Sequence, residues 1–234
     1  MFTSLLQFSL RRLTVQILLV PIMIIMLAFG SISYVYASST SNFTQVVNSG
    51  TLAVDIVDSS YVTVGSPSVT MGAVTFSFTC QTATGTFGSA SQVIYVSNPD
   101  AADNGWTVSL AGSSTTAVWD SAGTDFDFND AGGSGCTDGA DADAFGGQMT
   151  VNPNAGTLAV GQCATCATTS VTKGSSTAFV EGTTNSITVL TGAAGSNDIG
   201  DWKLTAVAIS QAVPAEQPAA SDYDVNMVLS ILAS

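Results

Sequence analysis

"DWKLTAVAIS", residues 201–210, decides the fold class. Trp202, Leu204, Ala206 and Ala208 fall on one side of a two-residue period, with Val207 and Ile209 on the other. That period marks a β-strand, because successive side chains leave the backbone toward opposite faces. The alternation recurs along the chain. "TLAVDIVD" puts Leu52, Val54 and Ile56 on one face. "AVTFSFTC" sets Val74, Phe76 and Phe78 against Thr75, Ser77 and Thr79, and "GWTVSL" aligns Trp106, Val108 and Leu110. "SQVIYVSNP" reads as a strand that stops at Pro99, and "GQMTV", "GTLAV", "TSVT", "TAFV" and "SITVL" as short strands between Gly, Asn or Pro. "YDVNMVLSILAS" aligns Tyr223, Val225, Met227, Leu229 and Ile231. No helical period is sustained in this region. About ten short strands at roughly regular spacing predict an all-β domain, a β-sandwich or jelly roll with two sheets sharing one core.

The last strand is apolar, and it follows an exposed connection, "PAEQPAASD", that carries Pro214 and Pro218. Such a strand has two destinations: its own sheet, or the sheet of a neighbouring copy. No fixed-period repeat appears, which excludes a solenoid.

The N-terminus is of another kind. Arg11 and Arg12 precede the apolar run "LTVQILLVPIMIIMLAF", and "YVYASST" follows. Val35 and Ala37 are the small residues that a signal peptidase requires, so residues 1–37 read as a secretory leader helix cleaved after Ala37. The competing reading is an uncleaved anchor, the chain's one route to a membrane. Residues 38–234 then form a single sandwich domain. Of the four basic residues in the whole chain, removal of the leader leaves Lys173 and Lys203 against 17 acidic residues, a formal charge of −15. A surface this negative repels nucleic acid and attracts divalent cations.

Four cysteines, Cys80, Cys136, Cys163 and Cys166, are an even number in an exported chain, which predicts disulfides with three possible pairings. "CATC" at 163–166 also has the spacing of a redox motif, but a β-prone segment follows it where a thioredoxin-type site needs a helix. A zinc site would need all four cysteines, because the chain has no histidine.

"DSAGTDFDFNDAGGSGCTDGADADAF", residues 120–145, is inserted as a glycine-rich loop with seven acidic residues and no basic one. Asp120, Asp125, Asp127, Asn129, Asp130, Asp138, Asp141 and Asp143 offer oxygen ligands only. Many carboxylates on flexible backbone suit Ca²⁺, which accepts roughly six to eight oxygens in irregular geometry. The spacing begins like an EF-hand, but Asp130 stands where that loop needs glycine and Cys136 where it needs glutamate. A purely solvated loop is the competing reading, and a pair of catalytic carboxylates the third. Phe126 and Phe128 look like anchors that dock the loop on the sandwich. Catalytic signatures are otherwise missing: with no histidine there is no Ser-His-Asp triad, and no Walker or dinucleotide fingerprint occurs. The sequence therefore predicts a protein that is not an enzyme.

"GWTVSL", "DWKLTAVAIS" and "SDYDVNMVLSIL" together resemble the pattern of WxL-type bacterial surface proteins, with Trp202-Lys203-Leu204 as the literal W-x-L. The chain is also similar to small signal-bearing surface proteins predicted from uncultivated bacteria. The resemblance implies a secreted all-β surface module. The expected function is a non-enzymatic extracellular structural or adhesive protein with a Ca²⁺-binding loop. Its partner would be a cell-wall or surface polymer, or further copies of itself in a filament or layer. A calcium-dependent carbohydrate-binding module is the alternative.

Overall fold

A computed structural model describes residues 17, 19, 21, 45, 46, 48, 50–99, 104–139, 144–194 and 199–234. Ile17, Leu19 and Pro21 are helical. Ala37 lies outside the described residues. Among those described, no helix is long and apolar enough to cross a membrane. The chain divides into Met1–Val47 and a compact unit, Asn48–Ser234.

The compact unit is all-β, with 14 strands in four antiparallel sheets. The first sheet has the order β1 (Ala53–Val57), β3 (Val93–Asn98), β12 (Gly200–Thr205), β8 (Thr157–Val160). The second has β10 (Thr177–Ala178), β7 (Gln148–Asn152), β13 (Val207–Val213), β2 (Gln81–Phe87). The third has β14 (Met227–Ala233), β4 (Trp106–Gly112), β11 (Ser186–Gly192), β9 (Val171–Lys173). A small hairpin pairs β5 (Val118–Trp119) with β6 (Phe126–Asp127).

Three strand pairs pass from the second sheet to the first, or back, side by side: β2 into β3, β7 into β8, and β12 into β13. The quoted stretch 201–210 is therefore two strands. At Ala206 the backbone turns left-handed (φ 58°), and its N–H binds Gly88 O at 2.7 Å. One residue out of register exchanges the buried face. Trp202 and Leu204 are buried before the corner, and Val207, Ile209, Gln211 and Val213 after it, while Ala206 and Ala208 are exposed.

The third sheet covers the bent layer. Trp106 from β4 meets Trp202 from β12, ring centroids 5.5 Å apart, and both are fully buried. The tryptophans that carry the family resemblance are thus core residues. Phe128 meets Phe179 at 5.1 Å, which docks the acidic stretch on the core as its sequence implied. β14 pairs along its length with β4, so the final strand enters its own sheet.

One strand forms where a different one was expected. "AVTFSFTC" has the stronger β pattern, yet residues 73–80 lie outside every ladder, and the polar "QTATGTF" that follows becomes β2. Pairing along all of β13, from Val207↔Phe87 to Val213↔Gln81, outweighs local propensity.

Candidate functional site

Two disulfides form: Cys80–Cys136 and Cys163–Cys166. The first ties the acidic loop to the start of β2. Within that loop the carboxylates serve the backbone. Asp125 Oδ1 accepts the Ser121 N–H (3.0 Å). Asp127, buried on β6, accepts the N–H groups of Phe128 (2.6 Å) and Asn129 (3.2 Å). Asp130, also buried, accepts Gly132 N–H on Oδ1 (2.8 Å) and Gly139 N–H on Oδ2 (2.7 Å). Asn129 Nδ2 donates to Thr115 O (3.2 Å). The backbone of Asp120 bridges Asp224 while its side chain is exposed, and Asp138 is exposed. A glycine-rich loop has few ladder bonds, so aspartates supply acceptors for its amides. Asp141 and Asp143 lie outside the described residues. Among those described, no three acidic side chains of the loop bring their oxygens together. Beside the loop, Ala122 N–H donates to the exposed Asp222 carboxylate (3.1 Å), which holds that group below the usual carboxylate range.

The β5–β6 hairpin also walls a groove of 610 Å³. Trp119 stacks on Phe126 (5.7 Å, 11°), and Phe126 meets the edge of Tyr223 at 5.0 Å. Trp119 Nε1 donates to Gln211 Oε1 (2.9 Å), and Gln211 Nε2 donates to Asp127 O (3.0 Å), so the hairpin is bolted to β13. The opposite wall is residues 69–77. Among the described residues, no charged one lines the groove, although the chain carries 17 acidic residues. Ala73 to Phe76 make no hydrogen bond to any described residue. Val74 and Phe76 stand exposed in this wall, and Phe78, which follows beyond it in the chain, is 77% exposed.

A third constellation was hidden from the sequence. Cys163, Cys166 and Asp201 hold their sulfur and carboxylate oxygen atoms within 4.8 Å of one another. Asp201, 7% exposed on β12, accepts the Tyr95 hydroxyl on Oδ2 (2.6 Å), the Gln162 N–H on the same oxygen, and the Cys163 N–H on Oδ1 (2.7 Å). Burial and this bond to Asp201 push the Tyr95 phenol above its usual value. Gly161 and Gly200 flank the cluster, and a Cβ on either would collide with Asp201 Oδ2 or Cys166 Sγ. Asp201 lies 35 positions beyond Cys166 and is delivered by the pairing of Gly200–Leu204 with β3 and of Trp202–Thr205 with β8.

Fold and site define a disulfide-bonded antiparallel β-sandwich with an uncharged groove. No protein-family model matches the chain, and no curated protein or solved structure matches it.

Proposed function

We propose that the chain is a non-enzymatic structural or adhesive component of the cell surface, exported by its leader and able to associate with itself. The observation that carries this reading is the groove with an uncharged lining along residues 69–77, of which Ala73 to Phe76 make no hydrogen bond to any described residue. A segment with strand patterning, unpaired backbone groups and exposed phenylalanines is a template for a second extended chain. Charge selects the same place. The acidic residues make copies repel each other, whereas the lining of the groove itself is uncharged, with Glu216 and Asp222 beside it.

Calcium belongs to this reading as a stabiliser of the acidic loop. Carboxylate oxygens that accept one amide keep lone pairs for an ion, and Asp138 follows closely in the chain. Ca²⁺ held by this stretch would offset its crowded charge and stiffen the wall of the groove. Chelator then lowers the melting temperature by several degrees. An unchanged melting curve removes calcium from the proposal.

Self-association is read by analytical ultracentrifugation across protein concentration. We expect concentration-dependent larger species, weakened at least tenfold in F76D/F78D. A wild-type chain that sediments as a monomer throughout defeats the reading. The second reading, a calcium-dependent carbohydrate-binding module, is favoured by Trp119 and Tyr223 in the groove wall. Against it, Gln211 and Gln217 already spend their amide groups on Asp127, Ala212, Thr124 and Asp125 backbone oxygens. Glycan binding that requires calcium, by a monomer, would replace the first reading with the second.

A further inference from the structure

The turn at residues 163–166 joins two sulfur atoms to a buried carboxylate. We propose that, once its disulfide is opened, this turn binds a thiophilic divalent cation, with the Cys163 and Cys166 thiolates and Asp201 as ligands and water completing the sphere. The proposal stands apart from the surface role and from calcium, whose chemistry is oxygen alone.

The ligand set fits the ion. Zn²⁺ takes thiolate sulfur and carboxylate oxygen, and sites with three protein ligands keep a fourth position for water. On the sequence alone, a zinc site needs all four cysteines. The fold removes that requirement, because Asp201 supplies the third ligand.

The carboxylate is already oriented. Tyr95 and two backbone amides grip it, and such outer partners fix the direction of a metal ligand. Oδ1 accepts one hydrogen bond, from Cys163 at 2.7 Å, so a lone pair remains for an ion. Gly161 and Gly200 carry no side chain that would displace Asp201 Oδ2 or Cys166 Sγ, so both ligand groups keep their positions.

The turn also outlives its disulfide. Gly161 N–H donates to Asp201 O (2.9 Å) on one flank, and Trp202 Nε1 donates to Ala167 O (2.9 Å) on the other. Neither bond involves sulfur. Cys163 and Cys166 are half-buried at the surface, within reach of a small reductant.

The chemistry balances with an external thiol as reductant. Its thiolate attacks one sulfur of the pair and forms a mixed disulfide, and the other cysteine leaves as thiolate. A second thiol releases the first as an oxidised disulfide, so two electrons and two protons reach Cys163 and Cys166. The cation then displaces both thiol protons. In the oxidised state the carboxylate stands alone, so thiol redox state gates the site.

The test uses the full chain and Zn²⁺ itself. A graded phosphine reductant with cysteine alkylation and peptide mapping gives the order of opening. Cys163–Cys166 should open first, with the β-sheet circular dichroism retained. Earlier opening of Cys80–Cys136, or loss of the sheet signal when 163–166 opens, overturns the proposal. The reduced chain should then bind one Zn²⁺ in competition with a chromophoric chelator, and Cd²⁺ should give the ultraviolet absorption of metal thiolate. D201N should weaken binding at least tenfold, and Y95F, which leaves the carboxylate but loosens its grip, by about two- to fivefold. C163S/C166S should abolish the thiolate absorption and the Zn²⁺ uptake. Equal affinity in D201N, or Zn²⁺ uptake that persists in C163S/C166S, would refute the site.

Discussion

Two loops of this molecule are built from the same parts and held in different ways. The acidic loop has a disulfide, Cys80–Cys136, and a buried aspartate, Asp130, that accepts two loop amides. The turn at 162–167 has a disulfide, Cys163–Cys166, and a buried aspartate, Asp201, that also accepts two loop amides. The disulfides span 56 and 3 residues. A cross-link lowers the entropy of the unfolded chain according to the length of loop it closes, which gives about 4 kcal/mol for the first and about 2 for the second. Each loop also has its carboxylate, so the bridges differ in the length they close: the long one constrains the unfolded chain far more than the short one. On the proposal above, the same bond is structural in one loop and free to do chemistry in the other.

Breaking the long bridge should have the largest effect. C80S/C136S should lose about 4 kcal/mol in urea unfolding. A loss below about 1 kcal/mol would mean that the aspartates hold the acidic loop without it. Next comes D130A, which leaves the Gly132 and Gly139 amides without their acceptor. The expected cost is roughly 2 to 3 kcal/mol, and D130N, which keeps one acceptor oxygen, should recover part of it. Smaller still is C163S/C166S, at most about 2 kcal/mol. If that variant proves as damaging as C80S/C136S, the contrast between the loops collapses.

The smallest effect is on pH dependence. Tyr95 is held above its usual value, so the folded state keeps the phenol protonated where the unfolded chain has begun to release the proton. Its contribution is fully present below the ordinary tyrosine value near 10 and is lost as pH rises through the folded value. Alkaline unfolding of the wild type should therefore fall away more steeply above pH 10 than that of Y95F, measured by denaturant midpoint at each pH.

Much of this was legible in the residues. The alternation of Trp106, Val108 and Leu110 placed β4, and that of Tyr223 through Ile231 announced the closing strand, which forms only from Met227. Phe126 and Phe128 announced a docked loop, and the even cysteine count announced two bridges. Other features were misread or missed. Val74, Phe76 and Phe78 promised a strand that "QTATGTF" took instead, since the ladder with β13 rewards register over local propensity. Asp125, Asp127 and Asp130 accept nearby backbone amides, a use of loop carboxylates that composition does not reveal.

By itself, the sequence determined the all-β class and the density of negative charge. These are sums over local properties, namely period and residue counts. The tertiary structure alone decided which cysteines pair, where the strand at Ala206 changes sheet, and that Asp201 meets Cys163 and Cys166. Those outcomes depend on contacts between residues far apart in the chain, fixed when the three long strands cross the corner together and no local pattern records the crossing.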